Sequence, residues 1–123
     1  MENQMKEKTI KITLSDARPI RIVSRAWPII AMGWWGDDRR IPCQSTRECT
    51  IRVRRHADGR YLITGIRDSC WASEATIRSG VLLESGVHDN DIVSAIHVVG
   101  EEIGAPQSCI RECIADLPEE ELR

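Results

Sequence analysis

The chain has 123 residues, of which 41% are hydrophobic and 29% are charged, a composition typical of one globular domain and too apolar for a disordered segment. The longest apolar runs, such as WPIIAM, are far shorter than the roughly 20 residues of a membrane-spanning helix, and MENQMKEKT lacks the hydrophobic stretch of a secretory signal. We therefore expect a single cytoplasmic domain over residues 1–123, with frayed polar ends at 1–7 and 118–123.

Charge is distributed unevenly along the chain, although the net charge is only −2. Residues 39–78 contain nine arginines and four acidic residues, whereas residues 79–123 contain ten acidic residues and two arginines. A basic middle and an acidic end can serve two partners, or they can attract each other within the fold or across a homodimer. The five cysteines, an odd number without a dense framework, favour a reducing compartment over a disulfide scaffold.

The first predicted element is a hairpin over residues 8–23. TIKITL and PIRIV each alternate polar and apolar residues with the period of two that is typical of a half-buried strand. Ser24 can then cap a short helix that runs to about residue 33 and holds Pro28 in its first turn. Gly33 and Gly36 flank the two tryptophans and are predicted to end this helix before a polar connection.

The segments ECTIRVRR, HADG and RYLITGIR predict a second hairpin, with an Asp-Gly pair in its turn. A two-residue turn would pair Val53 with Thr64, whereas a three-residue loop over residues 57–59 would pair Val53 with Ile63. The three-residue loop is favoured because it gathers apolar side chains on one face. That face would carry Ile51, Val53, Tyr61 and Ile63. The opposite face would carry Arg52 and Arg54 beside Leu62, Thr64 and Ile66.

The C-terminal part of the chain predicts one more strand and two helices. Residues 70–86 allow a helix or a strand, and we favour a short strand near residues 76–83. Asp89 begins a helix with an apolar stripe, Gly104 ends it, and Pro106 is predicted to begin a second helix. The elements together predict an α+β fold in which two hairpins form one antiparallel sheet, one short helix lies between them, and two C-terminal helices pack on one face.

Cysteine and histidine could support metal binding or nucleophilic catalysis, but neither has a supporting pattern. The spacing from Cys43 to Cys49 exceeds the two to four residues that usually separate zinc ligands. Cys109 and Cys113 lie on the apolar face of a helix, where free cysteine behaves as a small hydrophobe. The histidines, which fall in no catalytic signature, are His56, His88 and His97. No catalytic residue, metal or cofactor is therefore predicted, and an enzyme or small-molecule binder with a pocket rimmed by histidine or cysteine is the third alternative.

The tryptophans and nearby arginines predict a surface for protein association. Both residue types are enriched at interface hot spots, and both occur in AMGWWGDDRR. A chain without phenylalanine must also use tryptophan in its core, and neighbours in an extended segment point to opposite sides. We therefore expect one of Trp34 and Trp35 to be buried and the other to be exposed. The candidate interaction residues are Trp34, Trp35, Arg39, Arg40 and Trp71.

Nucleic-acid binding is the alternative to protein association. Arg52 and Arg54 alternate on one strand face, so that face could track phosphates. The candidate residues for this alternative are Arg52, Arg54, Arg60 and Arg67. The ten acidic residues after residue 78 would repel a phosphate backbone unless the fold segregates them from the arginines.

HADGRYLITG and the closing RECIADLPEEEL resemble segments of small uncharacterised bacterial proteins carried on plasmids, integrative elements or gene cassettes. The resemblance covers about the last two-thirds of the chain and carries over no catalytic or binding residue. It implies a bacterial accessory protein that interacts with, or inhibits, another macromolecule. The leading hypothesis is therefore a non-enzymatic interaction module that associates with a protein or with a second copy of itself.

Overall fold

The structure is a computed structural model that describes residues 8–37, 47–71, 73–87 and 89–118. Among these residues, six strands precede two helices, and the predicted α+β class is confirmed. The strands are β1 (Thr9–Thr13), β2 (Pro19–Val23), β3 (Ile29–Gly36), β4 (Arg47–Arg55), β5 (Tyr61–Ser69) and β6 (Ile77–Leu83). The helices are α1 (Asp89–Ile103) and α2 (Gln107–Ala115). Except for Pro118, the ends that were predicted to fray lie outside the described residues.

The strands form two antiparallel sheets, so the expectation of a single sheet is wrong. One sheet contains β1 and β2, and the other contains β3, β4, β5 and β6 in that order. The β1–β2 hairpin lies against a face of the larger sheet, where Leu14 and Ile22 pack with Leu62 in a second hydrophobic core. Packing one sheet on the other buries the apolar side of the hairpin. That side would stay exposed if the hairpin instead extended the larger sheet at its edge.

The helix predicted from Ser24 to about residue 33 is also wrong. A single 3-10 turn covers Ser24–Ala26, and the chain then becomes strand β3. β3 begins with two isoleucines and contains two tryptophans, residue types that favour strands. Its backbone pairs with β4, as in Met32 with Arg52 and Trp34 with Thr50. Pairing with a strand distant in sequence therefore overrides the local helix signals.

The predicted register of the second hairpin is confirmed. Val53 pairs with Ile63, and Arg55 pairs with Tyr61, as the three-residue loop requires. Gly59 has φ +95° in that loop, a conformation that glycine adopts without a Cβ clash. Because side chains alternate across a strand, this register puts the arginines of β4 on the face opposite its buried aliphatic residues.

The later elements follow the predicted order with small shifts. Residues 70–86 allowed a helix or a strand, and β6 confirms the favoured strand near residues 76–83. Gly80 of β6 pairs with Thr64 of β5. Pro106 caps α2 instead of forming its first helical residue. Gly104, at φ +73°, ends α1 in the left-handed conformation typical of a helix C-terminus.

Both helices pack on one face of the larger sheet because small residues let them approach it. A Cβ on Gly33 would lie 2.8 Å from the backbone nitrogen of Cys113 in α2. A Cβ on Gly65 would lie 2.5 Å from Cγ1 of Val99 in α1. The main core between helices and sheet includes the fully buried residues Ile51, Val53, Ile63, Ile96, Val99 and Ile110.

Replacing Gly33 with alanine should destabilise the fold by about 1–3 kcal/mol, because the new methyl group would push against the backbone of α2. Gly80→Ala is the matched control. Its added Cβ would meet the side-chain ends of Ile12 and Leu14, each at 3.3 Å, and the backbone oxygen of Ile63 at an ordinary contact distance of 3.6 Å, so its cost should stay below about 1 kcal/mol. Urea denaturation of both variants measures the difference, and equal midpoints would contradict the close packing of β3 against α2.

Candidate functional site

The face of the larger sheet that points away from the helices is only partly covered. Its side chains come from alternate positions of the strands, and the β1–β2 hairpin packs over the end near Leu62. Toward β3, Met32 is 44% exposed and Trp34 is 37% exposed. We call this surface the open face. Its residues include Met32, Trp34, Thr50, Arg52, Ile66 and Arg78.

A cleft of about 670 Å³ lies between the β1–β2 hairpin and the open face. Five basic residues line it: Lys8, Lys11, Arg52, Arg54 and Arg78. Its lining also contains apolar side chains, among them Ile10, Ile12, Ile29 and Ile66. None of the described residues that line the cleft is acidic, so the cleft combines a strongly positive wall with an apolar floor.

The arginines of the cleft are not neutralised by the described carboxylates. No ion pair joins Arg52 or Arg78 to an acidic residue in the part of the chain that the structure describes. Arg54 Nη1 donates to the carbonyl oxygen of Trp27 at 3.0 Å. Burial lowers the pKa of Arg54, and the positive charge of Arg52 lowers it further. Two guanidinium groups therefore repel each other in the cleft, and a bound anion would relieve that repulsion.

Trp34 and Trp35 point to opposite sides of β3, as the extended-segment hypothesis expects. Trp35 packs against the main core, whereas Trp34 is on the open face. The Trp34 indole Nε1 donates to Oε1 of Glu48 at 3.0 Å, which holds the ring in place. Trp34 is therefore the exposed tryptophan of the pair.

The outer edge of β3 is covered by carboxylates from the C-terminal part of the chain. The backbone N–H of Trp34 donates to Glu112 at 2.7 Å, and that of Met32 donates to Asp116 at 2.9 Å. These contacts satisfy edge donors that would otherwise be available to another strand. They also fix two acidic groups beside α2, away from the cleft.

The remaining predicted site residues lie elsewhere. Arg39 and Arg40 are outside the described residues, and Trp71 is 52% exposed in the connection after β5.

Arg60 pairs with Asp58 at the tip of the second hairpin. Arg67 is on the helix side of the sheet, where its guanidinium lies close to Gly104. Of the four arginines suggested for nucleic acid, the structure brings only Arg52 and Arg54 together.

Three basic residues of the cleft were absent from the sequence-based candidates: Lys8, Lys11 and Arg78. Arg78 was detectable in principle, because a strand near residues 76–83 pairs it with Ile66 on the same face as the β4 arginines. Lys8 and Lys11 reach the cleft through the packing of the hairpin on the sheet, which no local pattern indicates.

Among the described residues, no cysteine or histidine lines this cleft. Cys49, Cys109 and Cys113 are fully buried in the main core. Burial raises the pKa of Cys109 to about 11 and that of Cys113 to about 12. His56 packs against the Trp27 ring, with 4.9 Å between the ring centroids. Within the described ranges, no cluster of three or more histidine, cysteine, aspartate or glutamate residues could hold a metal ion.

Neither helix of the described chain combines the length and the apolar character needed to cross a membrane. Comparison with protein-family models, with curated proteins and with solved structures finds no match. The geometry of the cleft and of the open face is therefore what the functional proposal rests on.

The buried thiols should resist alkylation in the folded protein. At pH 8 the raised pKa values of Cys109 and Cys113 keep them protonated, and the thiolate is the reactive form. Exposed Cys70 should react with iodoacetamide, and the two helix cysteines should react only after unfolding in guanidinium. Peptide mass spectrometry assigns each site, and rapid native labelling of Cys113 would contradict its burial.

Proposed function

We propose that the protein is a non-enzymatic binding module for nucleic acid, with phosphate groups held in the basic cleft. The observation that carries the proposal is a cleft of about 670 Å³ that is lined, among the residues the structure describes, by five basic residues and no acidic one. Ligand pockets of about 300–1,000 Å³ enclose molecules of drug size, so the cleft has room for a nucleotide unit.

A phosphate ligand fits the cleft better than a neutral one. Burial is the larger cause of the lowered pKa of Arg54, and the nearby positive charge of Arg52 lowers it further, so an anion beside the two groups would relieve part of this cost. An anion between such groups is stabilised by charge-assisted hydrogen bonds, and arginine matches the geometry of phosphate oxygens. The apolar floor formed by Ile10, Ile29 and Ile66 adds a surface for the flat faces of bases or for sugars.

None of the described acidic residues after residue 78 lines the cleft, which weakens the objection raised from the sequence. Five of the ten acidic residues after residue 78 lie on the two helices, which pack on the other face of the sheet. Glu112 and Asp116 bind the edge of β3, and Glu102 accepts a hydrogen bond from Ser79. A polyanion in the cleft would therefore contact its basic residues, and the nearer carboxylates of the open face are Glu48, beside Trp34, and its strand partner Asp68.

Removing basic residues from the cleft should weaken nucleic-acid binding. Arg52→Ala and Arg78→Ala should each reduce affinity for an oligonucleotide about tenfold. Each should also reduce the slope of log K against log salt concentration by about 0.7–0.9, because one phosphate contact is lost. Fluorescence anisotropy at several salt concentrations measures both effects.

The matched control is Arg111→Ala, which removes an exposed arginine of α2 on the opposite side of the sheet. Its affinity and salt slope should equal those of the unchanged protein. An affinity that does not change with salt concentration, or that falls equally in all three variants, would show that the cleft is not the nucleic-acid site.

Protein association is the second candidate, and one observation favours it. The apolar side chains of Ile29, Met32 and Trp34 on β3 are 46%, 44% and 37% exposed, and large apolar side chains in an exposed group are typical of interaction surfaces. In this hypothesis a second copy of the chain or another protein covers the β3 side of the open face. The resemblance to bacterial accessory proteins is compatible with either candidate and stays a prediction.

If the protein self-associates through β3, Met32→Glu should shift the equilibrium to monomer, because dimerisation would bury an unpaired charge. Sedimentation velocity over a wide concentration range measures the shift, with Val98→Glu as a control at an exposed apolar residue of α1. A protein that sediments as a monomer at every concentration would contradict the homodimer, while leaving nucleic-acid binding unaffected.

A further inference from the structure

We propose that the nucleic acid is a single strand of RNA or DNA, which binds with a phosphate in the cleft and a neighbouring base stacked on Trp34. This inference rests on the proposed function and specifies its ligand. It follows from the position of an exposed, hydrogen-bonded indole beside an unneutralised basic cleft on the same sheet face.

The sheet register connects Trp34 to the cleft. Trp34 pairs with Thr50, which pairs with Ile66, which pairs with Arg78. These four residues form one row across the open face, and the last two line the cleft. Adjacent strands lie about 4.8 Å apart, so Trp34 is about 10 Å from Ile66. A short extended segment of nucleic acid could therefore contact the cleft and the indole together.

The contacts of Trp34 suit a stacking platform. Its indole N–H donates to Glu48 at 3.0 Å, and its backbone N–H donates to Glu112 at 2.7 Å. A ring held in this way loses little conformational freedom when a base stacks on it. Arg52 occupies the adjacent row, paired with Met32.

A single strand fits this surface better than a duplex does. Stacking on Trp34 requires an open base face, and a duplex keeps its base faces inside the helix. The cleft is bounded by the β1–β2 hairpin on one side and by the sheet on the other, so a ligand must bend into it. A duplex is stiff over about 150 base pairs, whereas a single strand turns freely. Basic grooves combined with aromatic platforms are the general mode of single-strand binding.

The test compares labelled probes of about ten nucleotides, within the usual footprint of a single-strand binding domain. The probes are oligouridylate, oligothymidylate and a DNA duplex of the same length, with inorganic polyphosphate as an unlabelled competitor. Anisotropy titrations are run on the full chain and on three variants: Trp34→Leu, Trp34→Phe and Trp71→Leu. Thermal melting of each variant verifies that it is folded.

We expect the single strands to bind at least about tenfold more tightly than the duplex, and polyphosphate to compete poorly. Trp34→Leu should weaken single-strand binding about fivefold to a hundredfold, since stacking on an aromatic residue contributes about 1–3 kcal/mol per base. Trp34→Phe should restore most of this loss, and Trp71→Leu should have no effect. The tighter of the RNA and DNA probes identifies the natural source of the strand.

Two different failures are distinguishable. If duplex and polyphosphate bind as tightly as the single strands, or if Trp34→Leu binds normally, the stacking inference is wrong while the cleft remains a polyanion site. If no probe binds, or if probes bind and Arg52→Ala leaves their affinity unchanged, the proposed function itself is wrong. Should Trp34→Leu fail to fold, the affinity of Trp34→Phe and the ranking of single strand, duplex and polyphosphate by the unchanged protein still decide the question.

Discussion

The packing of both helices on one face of the four-stranded sheet is the constraint on which the rest of the structure depends. It requires glycine at Gly33 and Gly65, because α2 and α1 approach the sheet backbone there. It buries Ile51 and Val53 of β4 and Ile63 of β5 in one core. Because side chains alternate across a strand, burial of Ile51 and Val53 directs Arg52 and Arg54 to the other face.

The same constraint separates the charges of the chain. Five of the ten acidic residues after residue 78 lie on the helices behind the sheet, and the carboxylates of Glu112 and Asp116 satisfy the edge of β3. The basic residues meet in front of the sheet, beneath the β1–β2 hairpin. A chain with a small net charge thus has a positive cleft on one side and acidic helices on the other. Such a separation increases the association rate of an anionic ligand and orients it.

Local sequence patterns predicted the elements whose stability is local. The loop of the second hairpin and the apolar stripe of α1 are encoded within short stretches, so the register of Val53 with Ile63 and the start of α1 at Asp89 were predictable. Strand β3 was missed because its ladder partner lies in β4. The candidate site also combines local and non-local contributions. Arg52 and Arg54 were predictable from the alternation of side chains along one strand, whereas Lys8 and Lys11 reach the cleft only because the hairpin packs on the sheet.

The most direct test of the central claim is a map of the nucleic-acid contact surface by ¹⁵N NMR titration with a short oligonucleotide. We predict that amide shifts concentrate on the open face and the hairpin, at residues such as Lys11, Arg52, Ile66 and Arg78, and extend to the indole N–H of Trp34. Shifts confined to α1 and α2, or no shifts at concentrations well above those of specific binding, would contradict it.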